Sequence, residues 1–232
     1  MALKLAIIMN QNSYVGREYL MALEKNKISI DILSIGSFSE VCEIEKKRCG
    51  GLWQPTSMQE LQKYFRIYEF RSLKDLNFFQ FLDLKKYDLG IQGGTGILKS
   101  DVISRFGKGI LNFHPGDLPK YRGSSAPEWQ LIEKKAIVST CHLVDEGIDT
   151  GPILAKKKLK CSKDNYHAFR ASIYPLTAEF MIEVLSRLIL NQKNEIVGEI
   201  QDESKAIYRK YIGDETIAKI IARFSSMIEQ VE

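Results

Sequence analysis

The chain has 232 residues and a mass of 26.5 kDa, enough for one sizeable α/β domain with a short appendage and too little for two catalytic domains of ordinary size. Hydrophobic residues at 44% and charged residues at 27% exclude wholesale disorder and a collagen-like repeat. A net charge of +4 is mildly basic, which suits small anionic ligands and is not by itself a nucleic-acid signature.

The N-terminal apolar run is interrupted at Lys4 and ends at Asn10, too short for a secretory core with a cleavage site. It reads as a buried strand over Leu3 to Met9, as expected at the centre of a parallel sheet. No stretch approaches the roughly 18 apolar residues of a membrane span, so a soluble cytoplasmic protein without membrane contact is expected. Val15 to Glu24 is predicted helical, Ile28 to Ile35 a strand, and Ser37 or Ser39 the cap of a helix running toward Lys47. Ile67 to Phe70 is a short strand and Lys74 to Lys86 a helix. The segment Tyr87 to Gln92 enters the cluster Gly93-Gly94-Thr95-Gly96, and a short helix from Lys99 to Phe106 leads to the strand Ile110 to His114, stopped by Pro115. Ala126 to Lys135 is predicted helical, Val138 to Val144 and Ile153 to Leu159 are strands, and a long helix covers Tyr166 to Leu190.

Strand, crossover helix, strand predicts an α/β fold of Rossmann-like type, a twisted, mostly parallel sheet with helices on both faces. Ligands in such sheets sit in loops at the carboxyl ends of strands, which singles out 10–13, 93–96 and 114–123. Residues 1–190 form the expected catalytic domain, and 191–232 a partly helical extension. In that tail Ile217, Ile220, Ile221, Phe224, Ile228 and Val231 recur at helical spacing, either as a helix packed on its own domain or as part of a subunit contact. The run Lys156-Lys157-Lys158 with Lys160 suits a solvated strand edge, with anion steering as the alternative. Cys42, Cys49, Cys141 and Cys161 form no C-x-x-C pair and the histidines number three, so free thiols and no metal site are expected.

Asn112 and His114 are two residues apart on a strand end, so their side chains share a face. The proline after His114 keeps that residue extended or turned. An amide donor and an imidazole thus project together from the carboxyl edge of the sheet. Farther on, Asp145-Glu146-Gly147-Ile148-Asp149-Thr150-Gly151-Pro152 is a turned loop between strands, whose carboxylate can meet the His114 ring. Alone, Asn-x-His-Pro fits a satisfied structural pair as well as a catalytic one.

The ordered string is more specific. Asn112-x-His114-Pro115-Gly116-x-Leu118-Pro119-x-Tyr121-Arg122-Gly123, followed by Asp145 to Leu154 and preceded by Gly93-Gly94-Thr95-Gly96-Ile97-Leu98, resembles the formyltransferases that use 10-formyltetrahydrofolate. The resemblance spans roughly 1–190. It implies Asn112, His114 and Asp149 as catalytic residues that move a formyl group from N10 of the folate to an amine, with no metal. The folate would meet main-chain groups near Gly94, Thr95, Gly96, Ile97 and Leu98, and along Val144, Asp145 and Gly147. Asn10, Ser13, Tyr121, Arg122, Gly123, Glu128 and Trp129 are candidates for the acceptor side. His142 matches a family position there and is equally open to a structural role, as Trp129 is to a place in the core.

The resemblance leaves the acceptor open among subgroups. Asn10 to Gly16 holds one glycine, unlike the phosphate loop of glycinamide ribonucleotide transformylases. Arg122 to Pro127 resembles methionyl-tRNA formyltransferases, yet the 42 residues of 191–232 fall short of the roughly 60 that their C-terminal barrel requires. The expectation is therefore a sugar N-formyltransferase acting on a nucleotide-linked, dTDP-type 3- or 4-amino-dideoxy sugar for surface polysaccharide synthesis. It would bind no nucleic acid and act as a homodimer. Methionyl-tRNA formylation or a formyltetrahydrofolate hydrolase with water as acceptor, then glycinamide ribonucleotide transformylation, and a non-catalytic nucleotide-binding module remain as alternatives.

Overall fold

The first apolar run forms β1 (Leu5–Met9), and all five of its residues are buried. A strand buried on both faces needs helices on both sides of its sheet. The computed structural model describes residues 3–36, 41–191 and 195–231. Within it the chain continues as α1 (Tyr14–Lys25), β2 (Asp31–Ile35), α2 (Val41–Cys49), α3 (Met58–Leu61), β3 (Arg66–Phe70), α4 (Leu76–Lys85), β4 (Leu89–Gln92), α5 (Ser100–Ile103) and β5 (Ile110–His114). The second half adds β6 (Arg122–Gly123), α6 (Ala126–Ile132), β7 (Val138–Leu143), β8 (Ile153–Lys158), α7 (Tyr166–Asn191), β9 (Tyr208–Arg209) and α8 (Asp214–Ile228).

Seven strands form one sheet in the order β3-β2-β1-β4-β5-β7-β8. The first five are parallel; β7 runs antiparallel to β5, and β8 antiparallel to β7. This is the mostly parallel α/β architecture that the alternating pattern predicts. Period-two alternation in β1 splits the core: Leu5, Ile7 and Met9 pack with Leu20, Leu23, Met181 and Leu185 of α1 and α7, while Ala6 and Ile8 pack with Phe78 and Leu82 of α4.

Several elements differ from expectation. The helix expected over 99–106 is confined to α5, and that over 126–135 ends at Ile132. The four-residue α3 and the two-residue strands β6 and β9 were not anticipated, because segments so short carry no readable period. The cap expected at Ser37 or Ser39 lies outside the described residues. Cys49 and Cys141 are buried free thiols, and Cys161 is a half-buried one. Among the described residues no helix is long and apolar enough to cross a membrane.

The tail folds back over the domain. Ile153 and Glu199 exchange backbone hydrogen bonds of 2.8 and 2.7 Å, and β9 pairs in parallel with β6. Helix α8 buries Ile217, Ile220, Phe224 and Ile228 against Leu131, Tyr166, Phe169 and Ile173 of α6 and α7. Most of the apolar stripe that raised the idea of a subunit contact is thus covered by its own chain, while Ile221 stays 42% exposed.

Candidate active site

The site is built across the β5–β7 pair. Antiparallel register sets His142 directly opposite Asn112 and Thr140 opposite His114. The loop after β7 returns Asp149 to the same place. Asp149 adopts a left-handed φ of 56°, which a non-glycine residue keeps only where its surroundings over-determine it. Asp145 supplies part of that frame, its Oδ1 accepting from the Gly147 N–H at 3.1 Å and the Thr150 hydroxyl at 2.5 Å. Gly151 is required beside it, because a Cβ there would overlap the Leu143 carbonyl oxygen.

The three expected catalytic residues converge. Asp149 Oδ2 lies 3.4 Å from His114 Nδ1, and Asp149 Oδ1 accepts from Asn112 Nδ2 at 3.3 Å. The Gly123 N–H donates to Asp149 Oδ2 at 2.8 Å. His114 Nε2 faces the Tyr121 carbonyl at 2.6 Å; a carbonyl only accepts, so Nε2 carries the proton and neutral His114 presents a bare Nδ1 toward Asp149. Gly116 makes this approach possible, since a Cβ at that position would stand 2.5 Å from Nε2 and 2.7 Å from the Tyr121 oxygen. The same reasoning applies to His142, whose Nδ1 faces the Leu143 carbonyl at 2.8 Å. Its Nε2 is then an acceptor, 3.1 Å from Asn112 Nδ2. The two amide hydrogens of Asn112 are therefore directed at His142 and Asp149.

Electrostatics follow from burial and these neighbours. Burial pushes the His114 pKa below the ordinary histidine value and outweighs the opposing pull of Asp149 and the Tyr121 carbonyl, so the ring is neutral at pH 7. Burial alone would raise the Asp149 carboxyl; at the acid pH where it titrates the His114 and His142 rings are protonated, and their charge and hydrogen bonding, with the Gly123 N–H, outweigh burial and hold the pKa at about 2.

A cavity of about 320 Å³ opens in front of these groups. Of the residues expected from sequence, Asn112, His114, Asp149, Gly96, Ile97, Leu98, Val144, Asp145, Gly147, Gly123 and His142 line it. Gln92 and Ile148 line it too, as does Tyr208 from the tail, which no local pattern marked. Gln92 Nε2 donates to the Gly96 carbonyl and shapes the glycine turn, and the Ser100 N–H donates to Glu146 Oε1 at 2.9 Å, joining the two loops that form the walls. Ile97, Leu98, Val144 and Ile148 give apolar surface beside exposed main-chain groups. That combination fits a flat ring system with apolar faces and a polar edge, as in a pterin.

Other expected residues stand elsewhere. Gly94 and Thr95 belong to the same turn but do not line the cavity. Asn10 Oδ1 accepts from the Asn12 N–H at 3.0 Å, and Ser13 caps α1 through the Gly16 N–H. Tyr121 gives its carbonyl to His114 while its hydroxyl donates to Glu133 at 2.7 Å. Arg122 is buried and bonded to Glu203 and Gln201, so it braces the tail instead of facing an acceptor. Glu128 is fully buried between Arg48 and Arg170, at 3.4 and 3.5 Å, and accepts from the Tyr166 hydroxyl; it too braces the fold. Trp129 donates to the Lys210 carbonyl at 2.9 Å and packs with the α6–α8 core.

An amide, a neutral imidazole and a carboxylate at the mouth of a cavity, on a mostly parallel sheet, define a class of acyl-transfer site. The formyl transferase family model matches residues 3–185, and the chain belongs to that family. The methionyl-tRNA formyltransferase of Finegoldia magna is 26% identical over 201 residues, covering 82% of this chain and 58% of that protein. The chain spans less than two thirds of the length of the curated relatives it matches. Among solved structures, a 4-N formyltransferase from Francisella tularensis shares the fold with a TM-score of 0.61 at 20% identity, covering 97% of this chain and 86% of that one. An N-formyltransferase from Helicobacter canadensis, solved with folinic acid and dTDP-3-aminofucose, shares it with a TM-score of 0.60 at 17% identity, covering 89% and 70%.

Proposed function

We propose that this chain transfers a formyl group from 10-formyltetrahydrofolate to the amine of a nucleotide-linked 3- or 4-amino-dideoxy sugar, with dTDP as the nucleotide and surface polysaccharide synthesis as the use. The observation that carries formyl transfer is the meeting of Asn112, His114 and Asp149 at one cavity. When bound, the folate supplies a formyl carbon attached to N10. Asn112 Nδ2 donates to the formyl oxygen as negative charge develops there, giving up its longer bond to Asp149 Oδ1. His114 Nδ1 accepts the proton lost by the attacking amine and returns it to N10 as the bond between N10 and the formyl carbon breaks, leaving the formamide and free tetrahydrofolate. Asp149, its Oδ1 released from Asn112 and its Oδ2 still held by the Gly123 N–H, faces the ring through Oδ2 while it is charged and stabilises it. The Tyr121 carbonyl keeps Nε2–H in place throughout, so the ring offers Nδ1 alone to the reaction.

For the acceptor, the cations beside the cavity favour a small molecule. Arg122 and Arg209, on the paired strands β6 and β9, are each engaged with a carboxylate, Glu203 and Glu133. A tRNA is gripped through several phosphate contacts at once. A cytoplasmic homodimer goes with the sugar reading, as does the breadth of the likeness to the Francisella enzyme. The second reading is formylation of methionyl-tRNA, favoured by the sequence relatives. Steady-state assays with 10-formyltetrahydrofolate against dTDP- and UDP-linked amino sugars, methionyl-tRNA and glycinamide ribonucleotide separate them. Turnover of the amino sugars is expected, and turnover of the charged tRNA alone refutes the sugar reading. Formate release without any amine would mark a hydrolase. Asn112→Ala is expected to lower kcat by about 10² to 10³ with the preferred acceptor.

A further inference from the structure

Gln201 lies in the tail, outside every motif described so far, and is buried at 6% exposure. Its Nε2 donates to two carbonyls of the loop that carries the carboxylate, Asp149 O at 2.9 Å and Gly151 O at 2.7 Å. Its Oε1 accepts from Arg122 Nε and Nη2 at 3.2 and 2.9 Å. Arg122 sits between the two residues that orient the catalytic pair: Tyr121, whose carbonyl holds His114, and Gly123, whose N–H holds Asp149. On its other side Arg122 is gripped by both oxygens of Glu203, at 2.9 and 2.6 Å. One carboxamide therefore joins the 149–151 loop to the 121–123 segment. Both its hydrogens and its oxygen are used, and each partner is within two residues of a group lining the cavity.

We propose that Gln201 is a positioning residue that locks the two segments holding His114 and Asp149 into one geometry, so that the tail completes the catalytic site. The left-handed Asp149 conformation needs such over-determination, because a lone aspartate relaxes out of it when its carbonyl is free. The pairing of β9 with β6 delivers the tail to this place, and the Gly123 N–H holds the Asp149 side chain; the Gln201 amide adds the link from Arg122 to the main-chain carbonyls of the 149–151 loop. The inference rests on the assignment of His114 and Asp149 as the catalytic pair.

The chain contains three histidines, so the rings of the full-length protein can be followed individually by NMR after selective ¹⁵N labelling. Gln201→Met keeps the reach of the side chain and removes its hydrogen bonds; Gln201→Glu keeps an acceptor for Arg122 and loses the donors to the loop. Both are expected to shift the His114 titration by at least about 0.3 pH units and to leave His167, which bonds the distant Arg48 carbonyl, unmoved. With a dTDP-linked 4-amino-dideoxyhexose, kcat is expected to fall at least about tenfold while KM for 10-formyltetrahydrofolate changes less than about threefold. Glu203→Gln, which loosens Arg122 alone, serves as the milder variant should the others fail to fold, and is expected to move the same two readouts by less. A His114 titration and a kcat indistinguishable from wild type in Gln201→Met overturn the proposal, as does full recovery of both in Gln201→Glu. If His114→Gln or Asp149→Asn retains wild-type kcat, the catalytic assignment itself fails, a result independent of the Gln201 readouts.

Discussion

His114 is held at one ring nitrogen by a main-chain oxygen and left open at the other, and that asymmetry sets its chemistry. Burial lowers its pKa below 6.5, and Asp149 opposes the shift. As the proposed base, His114 is therefore available at neutral pH, and activity is expected to fall as pH drops through the depressed value. In Asp149→Asn the opposing charge is gone, so the acid limb of the kcat–pH profile is expected to move to lower pH while the plateau falls by about 10² or more. A limb that stays in place would mean that the carboxylate does not act on this ring. Asp149 also links the site to stability. Its pKa is depressed from 3.8 to about 2, so it contributes roughly 2 kcal/mol above the unfolded value, lost as pH falls from about 4 toward 2. The shared face of Asn112 and His114 was legible because strand period and the residue before proline fix it, and the place of Asp149 beside them came from the family resemblance. Gln201 and the Tyr121 carbonyl were not, because their importance lies in contacts made across the fold, by groups that any glutamine or any peptide carries.

Helix α6 is anchored by a buried charge as well as by the apolar contacts of Leu131 and Trp129. Glu128 on that helix meets Arg48 of α2 and Arg170 and Tyr166 of α7, so one carboxylate joins three helices. The sequence places Glu128 next to a motif loop, which made a ligand contact a natural expectation; its complete burial gives the bracing role instead. Glu128→Ala removes a fully buried carboxylate from two buried arginines, of which Arg48 keeps the Ile212 carbonyl and the Ser125 hydroxyl. We expect a loss of about 3–5 kcal/mol in urea unfolding. An acceptor-binding role would instead raise KM and leave the unfolding midpoint unchanged. The strands were read well from apolar runs, since a core strand buried on both faces must be apolar throughout. The antiparallel direction of β7 was not legible, because a strand's composition does not encode which way its neighbour runs.

At the scale of the molecule, the expected extension after residue 190 packs on the domain it follows. Residues 195–231 close the β8 edge, pair with β6, place Tyr208 at the cavity and cover α6 and α7 with α8. A chain cut after Leu190 is expected to lose its cooperative urea transition and its affinity for folinic acid together. A truncated protein with an unchanged midpoint would show the tail to be an appendage. The stripe at 217–231 was correctly read as amphipathic; what it packs against is a matter of tertiary path, which spacing alone leaves open.

The pairing of Asn112 with His142 across two strands carries a cost for drift in the fold. A slip of a single step between those strands would turn the oxyanion donor and its neighbour toward opposite sides while leaving the backbone ladder nearly intact. Turnover in this protein is thus a sensitive gauge of strand alignment, able to report a misfolded population that circular dichroism would count as native.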